Sequence, residues 1–557
     1  MTAPQHGGHH PHGLYRVASV RHAEELLQHG LEPGQLMSRA ALAVADEAGR
    51  ILRHLPAPAR VALLVGPGNN GGDALLAGLY LLDRGYRVDA FGVAAIRDRA
   101  PRPADAALAW TRWQPRPIAA LSSVMGAAEP SFAAVTSDDE SSFIAAYAAD
   151  PLGRPPSIRS APGVLVIDGL FGIGLTRSLT SEFAVLFERL RQLRQTWPES
   201  FRLLAIDVPS GLDADRGAAS GDTDAPLLDV DATVTMIGDK PGLRTGAGVQ
   251  AAGRIRIATL QPTAGGGPES QTADGYLVDA ECAAPWVPRR LTGSHKGSHG
   301  DILVVGGRLG MQGAARLAAR GAVAAGAGKV SIAVQAAPGF DEAPVDPMRP
   351  EIMRWRWQAS GLGRFDVVIA GCGLGLDGDA RRWLQEVVGV DRPLVLDADA
   401  LTLVASDRAL ADAVRERVTR QLATVLTPHP LEAARLLASD AAAVQGDRIA
   451  AATRLATRLS ATVVLKGAGT VVADRDGHWA INGSGGPVLA TAGTGDVLAG
   501  IIGALAAQMP IARAACLGVW AHGAAADRQA AIAGDVGSPA GSVAEQLPHV
   551  WQAATTP

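Results

Sequence analysis

Short, largely apolar runs recur along this chain, and most of them end in loops of glycine and aspartate. In the first half they occupy residues 61–65, 88–93, 164–167, 203–208 and 232–237. In the second half they occupy residues 302–305, 367–370, 394–396, 424–426 and 463–465. Runs without polar alternation are too apolar for a strand with one wet face. They suit central strands of a parallel sheet, covered on both faces by the helical stretches between them. The expected class is α/β. At 557 residues the chain exceeds a single core, so at least two domains are expected. The turn-rich stretch LQPTAGGGPESQTADG, residues 260–275, suits a linker between them.

The expected division is a disordered tail at 1–13, a first domain at 14–262, a linker at 263–274 and a second domain at 275–557. Residues 115–160 break the α/β rhythm with Ser, Pro, Ala and acidic residues, and read as an insertion in the first domain. The histidines of HGGHHPH, from His6 to His12, read as part of the tail and not as a metal site. A formal charge of −4 supplies no basic footprint for nucleic acid. Three cysteines far apart in sequence, Cys282, Cys372 and Cys516, exclude a disulfide framework and a Cys-rich metal site. With no secretory signal and no apolar run long enough for a bilayer, the expectation is a cytoplasmic protein with no membrane partner. A homo-oligomer is expected.

Residues 61–73 read VALLVGPGNNGGD, so Gly66, Gly68 and Gly71 satisfy G-x-G-x-x-G after a strand, and Asp89 lies near the place of a ribose-binding acid. A dinucleotide site is the obvious reading. Asn69, Asn70 and Asp73 count against it, because a diphosphate prefers uncharged backbone there. Two more acid-bearing loops end neighbouring strands: VIDGLFGIGLTR at 166–177 and AIDVPSGLDAD at 205–215. Together the three loops offer Asn70, Asp168 and Ser210 as oxygen donors for a hard monovalent or divalent cation. Asp207 is left free to act on a substrate. Gly172 and Gly174 let backbone approach a phosphate, with Arg177 nearby. Each Asp taken singly is more commonly a cap or turn residue.

These loops resemble the signature of the NAD(P)H-hydrate epimerase family, the YjeF N-terminal domain, over roughly residues 16–260. The resemblance implies a Rossmann-like three-layer αβα fold that binds hydrated NADH and NADPH. It implies that Asn69, Asn70, Gly71, Gly72 and Asp73 contact this substrate. Gly172, Ile173, Gly174, Leu175, Thr176, Arg177 and Ser178 would do the same. By the same resemblance Asn70, Asp168 and Ser210 hold K+, and Asp207 binds the substrate near the reacting carbon. Lys240, in IGDKPGL, matches a family lysine.

In the second half, ATAGTGDVL at 490–498 leads into an apolar helical run. Gly493, Thr494 and Gly495 let successive amides converge at a helix N-terminus, which favours negative charge. Asp496 at the edge would repel a stored phosphate. It makes sense as a carboxylate that handles a proton while the amides hold a phosphoryl group in transit. Lys466, in VLKGAGTVV, suits a nucleotide phosphate, and Thr470 can hydrogen-bond one. His429 stands between two prolines at a strand end in LTPHPLE, and the loops IAGCGLG and VLDADAL end two further strands.

This half resembles the ADP- or ATP-dependent NAD(P)H-hydrate dehydratase family, a branch of the ribokinase-like αβα fold, from about residue 275 to 552. The resemblance implies that Lys466, Gly467, Ala468, Gly469, Thr470 and Gly495 bind ADP or ATP, with Mg2+. Ala314, Gly373, His429 and Asp496 would contact the hydrate. Cys372, where the family commonly has Pro, and Leu431, where it commonly has Gly, depart from the pattern.

The joint expectation is a metabolite-repair enzyme with Asp207 and Asp496 as its catalytic residues. One half interconverts the two epimers of hydrated NAD(P)H, and the other dehydrates the S epimer with nucleotide hydrolysis. The rival reading is a small-alcohol or vitamin kinase joined to a non-catalytic ligand-binding domain. Both need the same anion hole and base.

Overall fold

The computed structural model describes residues 12–97, 100–121, 162–221, 225–261, 272–333 and 345–555. Most of the expected insertion, tail and linker lies outside the described residues. The chain forms two compact units. One comprises Leu14–Leu243 with Ala247–Asp274. The other runs from Gly275 onward and takes in the described residues up to Gly13 and the segment Arg244–Gly246.

The first unit is built on β2 (Arg60–Val65), β3 (Arg87–Gly92), β4 (Ala119–Ala120), β5 (Val164–Gly169), β6 (Phe201–Ile206), β7 (Ala232–Met236) and β8 (Arg254–Ala258). They form a seven-stranded sheet in the order β4-β3-β2-β5-β6-β7-β8, and every pair is parallel. The apolar runs bury both faces, as their composition requires. Leu63, Val65, Leu165, Ile167, Leu204 and Ile206 share one core with the helices Gln35–Leu52 and Asn69–Asp83. Leu64, Val166, Leu203 and Ala205 share the opposite core with Leu186, Phe187 and Leu190 of the helix Ser181–Thr196. The result is the expected three-layer arrangement.

The second unit carries β9 (Gly275–Val278), β10 (Asp301–Val305), β11 (Lys329–Ala333), β12 (Met353–Trp355), β13 (Val367–Ala370), β14 (Leu394–Leu396), β15 (Thr424–Leu426), β16 (Thr462–Leu465), β17 (Val471–Ala473) and β18 (Trp479–Asn482). With β1 (Gly13–Leu14) they make an eleven-stranded sheet, β1-β9-β18-β17-β16-β15-β14-β13-β10-β11-β12. From β12 to β16 the pairs are parallel. The hairpin-like turns into β17 and β18 are antiparallel. One sheet face packs on the helices Gln312–Ala324, Thr494–Ala506, Ile511–Ala533 and Ala540–Thr555.

Both sheets are doubly wound, and each has one point where the winding reverses. In the first it falls between β2 and β5, in the second between β10 and β13. Connections leave in opposite directions there, so a crevice opens beyond the carboxyl ends of the strands. The backbones that bound it touch. A Cβ on Gly66 would collide with the Leu170 carbonyl, and one on Gly306 with the Cys372 carbonyl.

The helix Thr494–Ala506, which carries Asp496, packs backbone to backbone on Gln312–Ala324. A Cβ on Gly500 would collide with the Ala318 carbonyl, and one on Gly321 with that of Val497. Gly→Ala inside a helix ordinarily stabilises by about 1 kcal/mol. Here the sign reverses, because an added methyl separates the helices at an overpacking cost of roughly 1–3 kcal/mol. Gly500→Ala is expected to lower the urea midpoint of unfolding.

Candidate active sites

In the first unit, β2 runs into GPGNNGGD, β5 into DGLFGIG and β6 into DVPSG, so the three loops meet where the winding reverses. They border a cavity of about 500 Å3. Asn69, Asn70 and Asp73 stand on its wall, with Gly172, Ile173, Gly174, Leu175, Arg177 and Asp207. Gly71, Gly72, Thr176 and Ser178 lie off the wall. Gly71 instead packs on the Gly66 backbone, Gly72 on Met37 and Ala106, and Ser178 on Gly221. Glu24 and Asp105 also line the cavity. No sequence motif marked them, because they come from the helices Val17–Gln28 and Ala104–Trp113, outside the glycine loops.

Asp207 sits in a left-handed conformation, φ 68°. Such a backbone is costly for a non-glycine residue and persists where the surroundings impose it. The surroundings are visible. Lys240 is wholly buried, and its Nζ donates to Asp207 Oδ1 at 2.6 Å, to Thr235 Oγ1 at 2.8 Å and to the Met236 carbonyl at 2.7 Å. All three ammonium protons are used. Lys240 is therefore the residue that aims Asp207.

Behind the wall, Asp168 is fully buried. Its Oδ1 accepts from Ser210 Oγ at 2.7 Å and its Oδ2 from Ser210 N at 2.8 Å. Asn70 donates Nδ2 to the Ile206 carbonyl, 2.8 Å away, and its Oδ1 lies against Gly172. Burial pushes Asp168 up to about 6 in spite of these hydrogen bonds. No cationic side chain pairs with it among the described residues. A buried carboxylate with neutral oxygen donors and no counter-charge fits a cation.

In the second unit, the ends of β10, β13, β14, β15 and β16 bring five loops together. Gly373, at φ 63°, approaches Ala314, where an added Cβ would meet that of Ala314 at 3.2 Å. Lys466 Nζ donates to Asp397 Oδ1 at 2.7 Å, and Thr427 Oγ1 donates to the same oxygen at 2.7 Å. A Cβ on Gly495 would lie 3.2 Å from Lys466 Nζ, so the lysine reaches the N-terminus of the Asp496 helix. The Cys372 sulfur and one oxygen each of Asp397 and Asp496 lie within 4.8 Å of one another. Gly467 and Gly469 adopt φ 138° and 58°, and Thr470 Oγ1 donates to the Gly467 carbonyl, closing the loop after Lys466. His429 caps the helix Pro430–Leu437 through Nδ1, which accepts from Leu431 N and Glu432 N.

Charge in this cluster is strongly perturbed. Burial, with Asp397 adding to it, pushes Asp496 up to about 6, while Cys372 and Lys466 pull the other way. Burial alone would lower Lys466, but Asp397 and Glu432 outweigh it and hold the ammonium above its ordinary value. Burial and the two aspartates raise the Cys372 thiol far enough to keep it neutral. His522, buried beneath this loop, is lowered to about 4 by burial. Its Nε2 finds no partner among the described residues. Sequence reasoning quoted the Asp397 loop without assigning it, and passed over His522.

A carboxyl poised near neutrality beside a lysine and a helix N-terminus is equipped to move a proton while an anion is held. The first unit holds a carboxylate aimed by a buried lysine on the wall of a cavity of about 500 Å3. Together these define a two-site α/β enzyme.

Comparison with known proteins narrows the class. Residues 33–242 match the family described as YjeF-related protein N-terminus, and residues 302–549 match NAD(P)H-hydrate dehydratase. The bifunctional NAD(P)H-hydrate repair enzyme of Coxiella burnetii is 32% identical over 94% of this chain and 96% of its own. That of Escherichia coli is 33% identical over 95% and 92%. An ADP-dependent (S)-NAD(P)H-hydrate dehydratase of Neisseria meningitidis is 43% identical over 43% of this chain and 80% of its own. Among solved structures, an ADP/ATP-dependent NAD(P)H-hydrate dehydratase of Bacillus subtilis covers 50% of this chain and 98% of its own, at 29% identity and TM-score 0.44. The chain belongs to the family of bifunctional NAD(P)H-hydrate repair enzymes.

Asp496 sets a pH expectation. Only its carboxylate accepts a proton, so dehydration should rise with pH through about 6 and level off above. Asp397 raises Asp496, so Asp397→Asn should move that rising limb to lower pH. A pH–rate profile of both proteins with the S epimer checks the shift.

Proposed function

We propose that the first unit interconverts the R and S epimers of hydrated NADH and NADPH, and that the second dehydrates the S epimer with hydrolysis of ADP or ATP. The observation that carries the second step is Asp496, raised to about 6 and within 4.8 Å of Cys372 and Asp397, at the start of a helix that Lys466 reaches. Hydroxide leaves poorly at neutral pH. Asp496 accepts the proton of the substrate hydroxyl as its oxygen takes the phosphoryl group. Lys466 and the Gly493–Gly495 amides hold the charge in transfer. The ring nitrogen then supplies the electrons that expel phosphate, and loss of a proton from the neighbouring carbon completes the dehydration. Mg2+ bound with the nucleotide would supply further neutralisation of charge there. Lys466–Thr470 and Gly495 bind the nucleotide, and Ala314, Gly373 and His429 contact the hydrate. The oxidation level of the nicotinamide is unchanged, and no redox cofactor is required.

In the first unit, Asp207 faces the reacting carbon. The GPGNNGGD and GIGLTRS loops bind the hydrate, and K+ held by Asn70, Asp168 and Ser210 neutralises Asp168. A low-charge cage with one carboxylate suits potassium better than a divalent ion. No described helix is long and apolar enough to cross a membrane, and a cytoplasmic homo-oligomer without nucleic-acid partners is the proposed setting. The domain division, 14–262 and 275–557 about a linker at 263–274, follows the same reading.

Two variants test the division of labour. Asp168→Ala should suppress epimerisation, and with it any dependence on K+, while dehydration of pure S epimer continues at the parental rate. Asp496→Asn should do the reverse, slowing dehydration by about 10²–10⁴-fold and leaving epimerisation and nucleotide binding intact. Reduced-nucleotide absorbance follows dehydration, and chromatography of the epimers follows interconversion. Accumulation of a stable phosphate ester in place of reduced nucleotide would turn the assignment to a kinase.

A further inference from the structure

Four carboxyl groups stand on the wall of the first unit's cavity: Glu24, Asp73, Asp105 and Asp207. The ligand proposed for this cavity carries phosphates, and four negative charges would repel it. The carboxyls are not equivalent. Asp207 receives a buried ammonium at 2.6 Å. Asp73, on the helix Asn69–Asp83 one turn in from its N-terminus, is 7 % exposed. Among the described residues no donor or cation pairs with its carboxyl. Arg21 and Arg177 line the same wall, but neither forms an ion pair with it.

Two carboxyls on one cavity, one beside a lysine and one bare, are the arrangement that separates an acid from a base. We propose that Asp73 is the general acid of epimerisation and Asp207 its general base. The electrostatics agree. Burial raises Asp73 well above the carboxylate range, and the charges of Asp207, Glu24 and Asp105 raise it further. Glu24 is itself raised by burial and by Asp207. It is partly exposed, and its charge reaches Asp73.

The step balances as follows. Asp73 gives its proton to the hydroxyl on the reacting carbon. The C–O bond breaks with its electrons on oxygen, and water leaves. The lone pair of the ring nitrogen forms C=N+. Water then adds from the other face, the C=N electrons return to nitrogen, and Asp207 takes the proton of the incoming water. The reverse direction uses the same two groups with roles exchanged. Proton exchange with solvent restores the starting state. The carbon changes configuration, and nothing is oxidised or reduced.

The proposal rests on the first unit being the epimerase. Interconversion of R and S epimers by the unaltered chain, without nucleotide, tests that premise separately. Asp73→Asn keeps the shape and removes the proton. In the full chain it should lower kcat for epimerisation by about 10²–10⁴-fold, with affinity for the R epimer little changed. Retained affinity for the R epimer would show that the first unit of the variant is folded, and unaltered dehydration of pure S epimer that the second is. Asp73→Glu should restore part of the rate. In 18O-water without nucleotide, newly formed epimer should carry the label. Near-normal turnover in Asp73→Asn, a loss confined to affinity, or unlabelled product would each overturn the assignment.

Discussion

Two strands that run side by side but send their chains in opposite directions cannot have their loops on the same side. The gap this leaves, between β2 and β5 in one unit and β10 and β13 in the other, is the constraint on which both sites rest. It is bounded by backbone packed against backbone. Gly66 N donates to the Gly169 carbonyl at 3.0 Å, and Gly307 N to that of Cys372 at 3.0 Å. A side chain on Gly66 or Gly306 would part the strands and fill the crevice at once. The glycines are therefore required by the packing of the strand ends alone.

Each unit then places a lysine against an aspartate at such a strand end: Lys240 with Asp207, and Lys466 with Asp397. Removing one partner of a buried pair strands the other and costs about 3–5 kcal/mol, so each pair holds its members in one geometry. The two pairs serve different ends. In the first, the lysine fixes the carboxylate that faces the cavity. In the second, the aspartate fixes the lysine, and a separate carboxyl, Asp496, is left close to neutrality. One kind of contact thus orients a carboxylate in one place and an ammonium in the other.

Much of this was legible in the residues. The ten apolar runs all became strands, since a run buried on both faces has few alternatives in a chain of alternating helices. The strands β1, β4, β8, β9, β11, β12, β17 and β18 were not read. They are short, half-polar or antiparallel, and carry no uniform apolar signal. Glycine loops located both crevices. Contacts across sequence were beyond it: Asp397 meets Lys466 sixty-nine residues on, and the Lys240 side chain found its role only once Asp207 was seen beside it. Glu24 lies on an unremarkable amphipathic helix. The departures at Cys372 and Leu431 have separate outcomes. Cys372 is wholly buried against the aspartates, while Leu431 is half exposed on the first turn of a helix.

The larger sheet is not contiguous in sequence, and this bears on how the chain is made. Its outermost strand, β1, comes from the start of the chain and lies beside β9, where Leu277 N donates to the His12 carbonyl at 2.9 Å. A ribosome delivers residues 12–14 long before Gly275–Val278 exist. The early strand must therefore wait for this partner through synthesis of the whole first unit. Until the later strand arrives, neither has the neighbour that covers its open edge. Completion of the second sheet is thus a late event that reaches back to residues 12–14. A cut made at the glycine-rich stretch 263–271 would sever the later fragment from a strand of its own sheet.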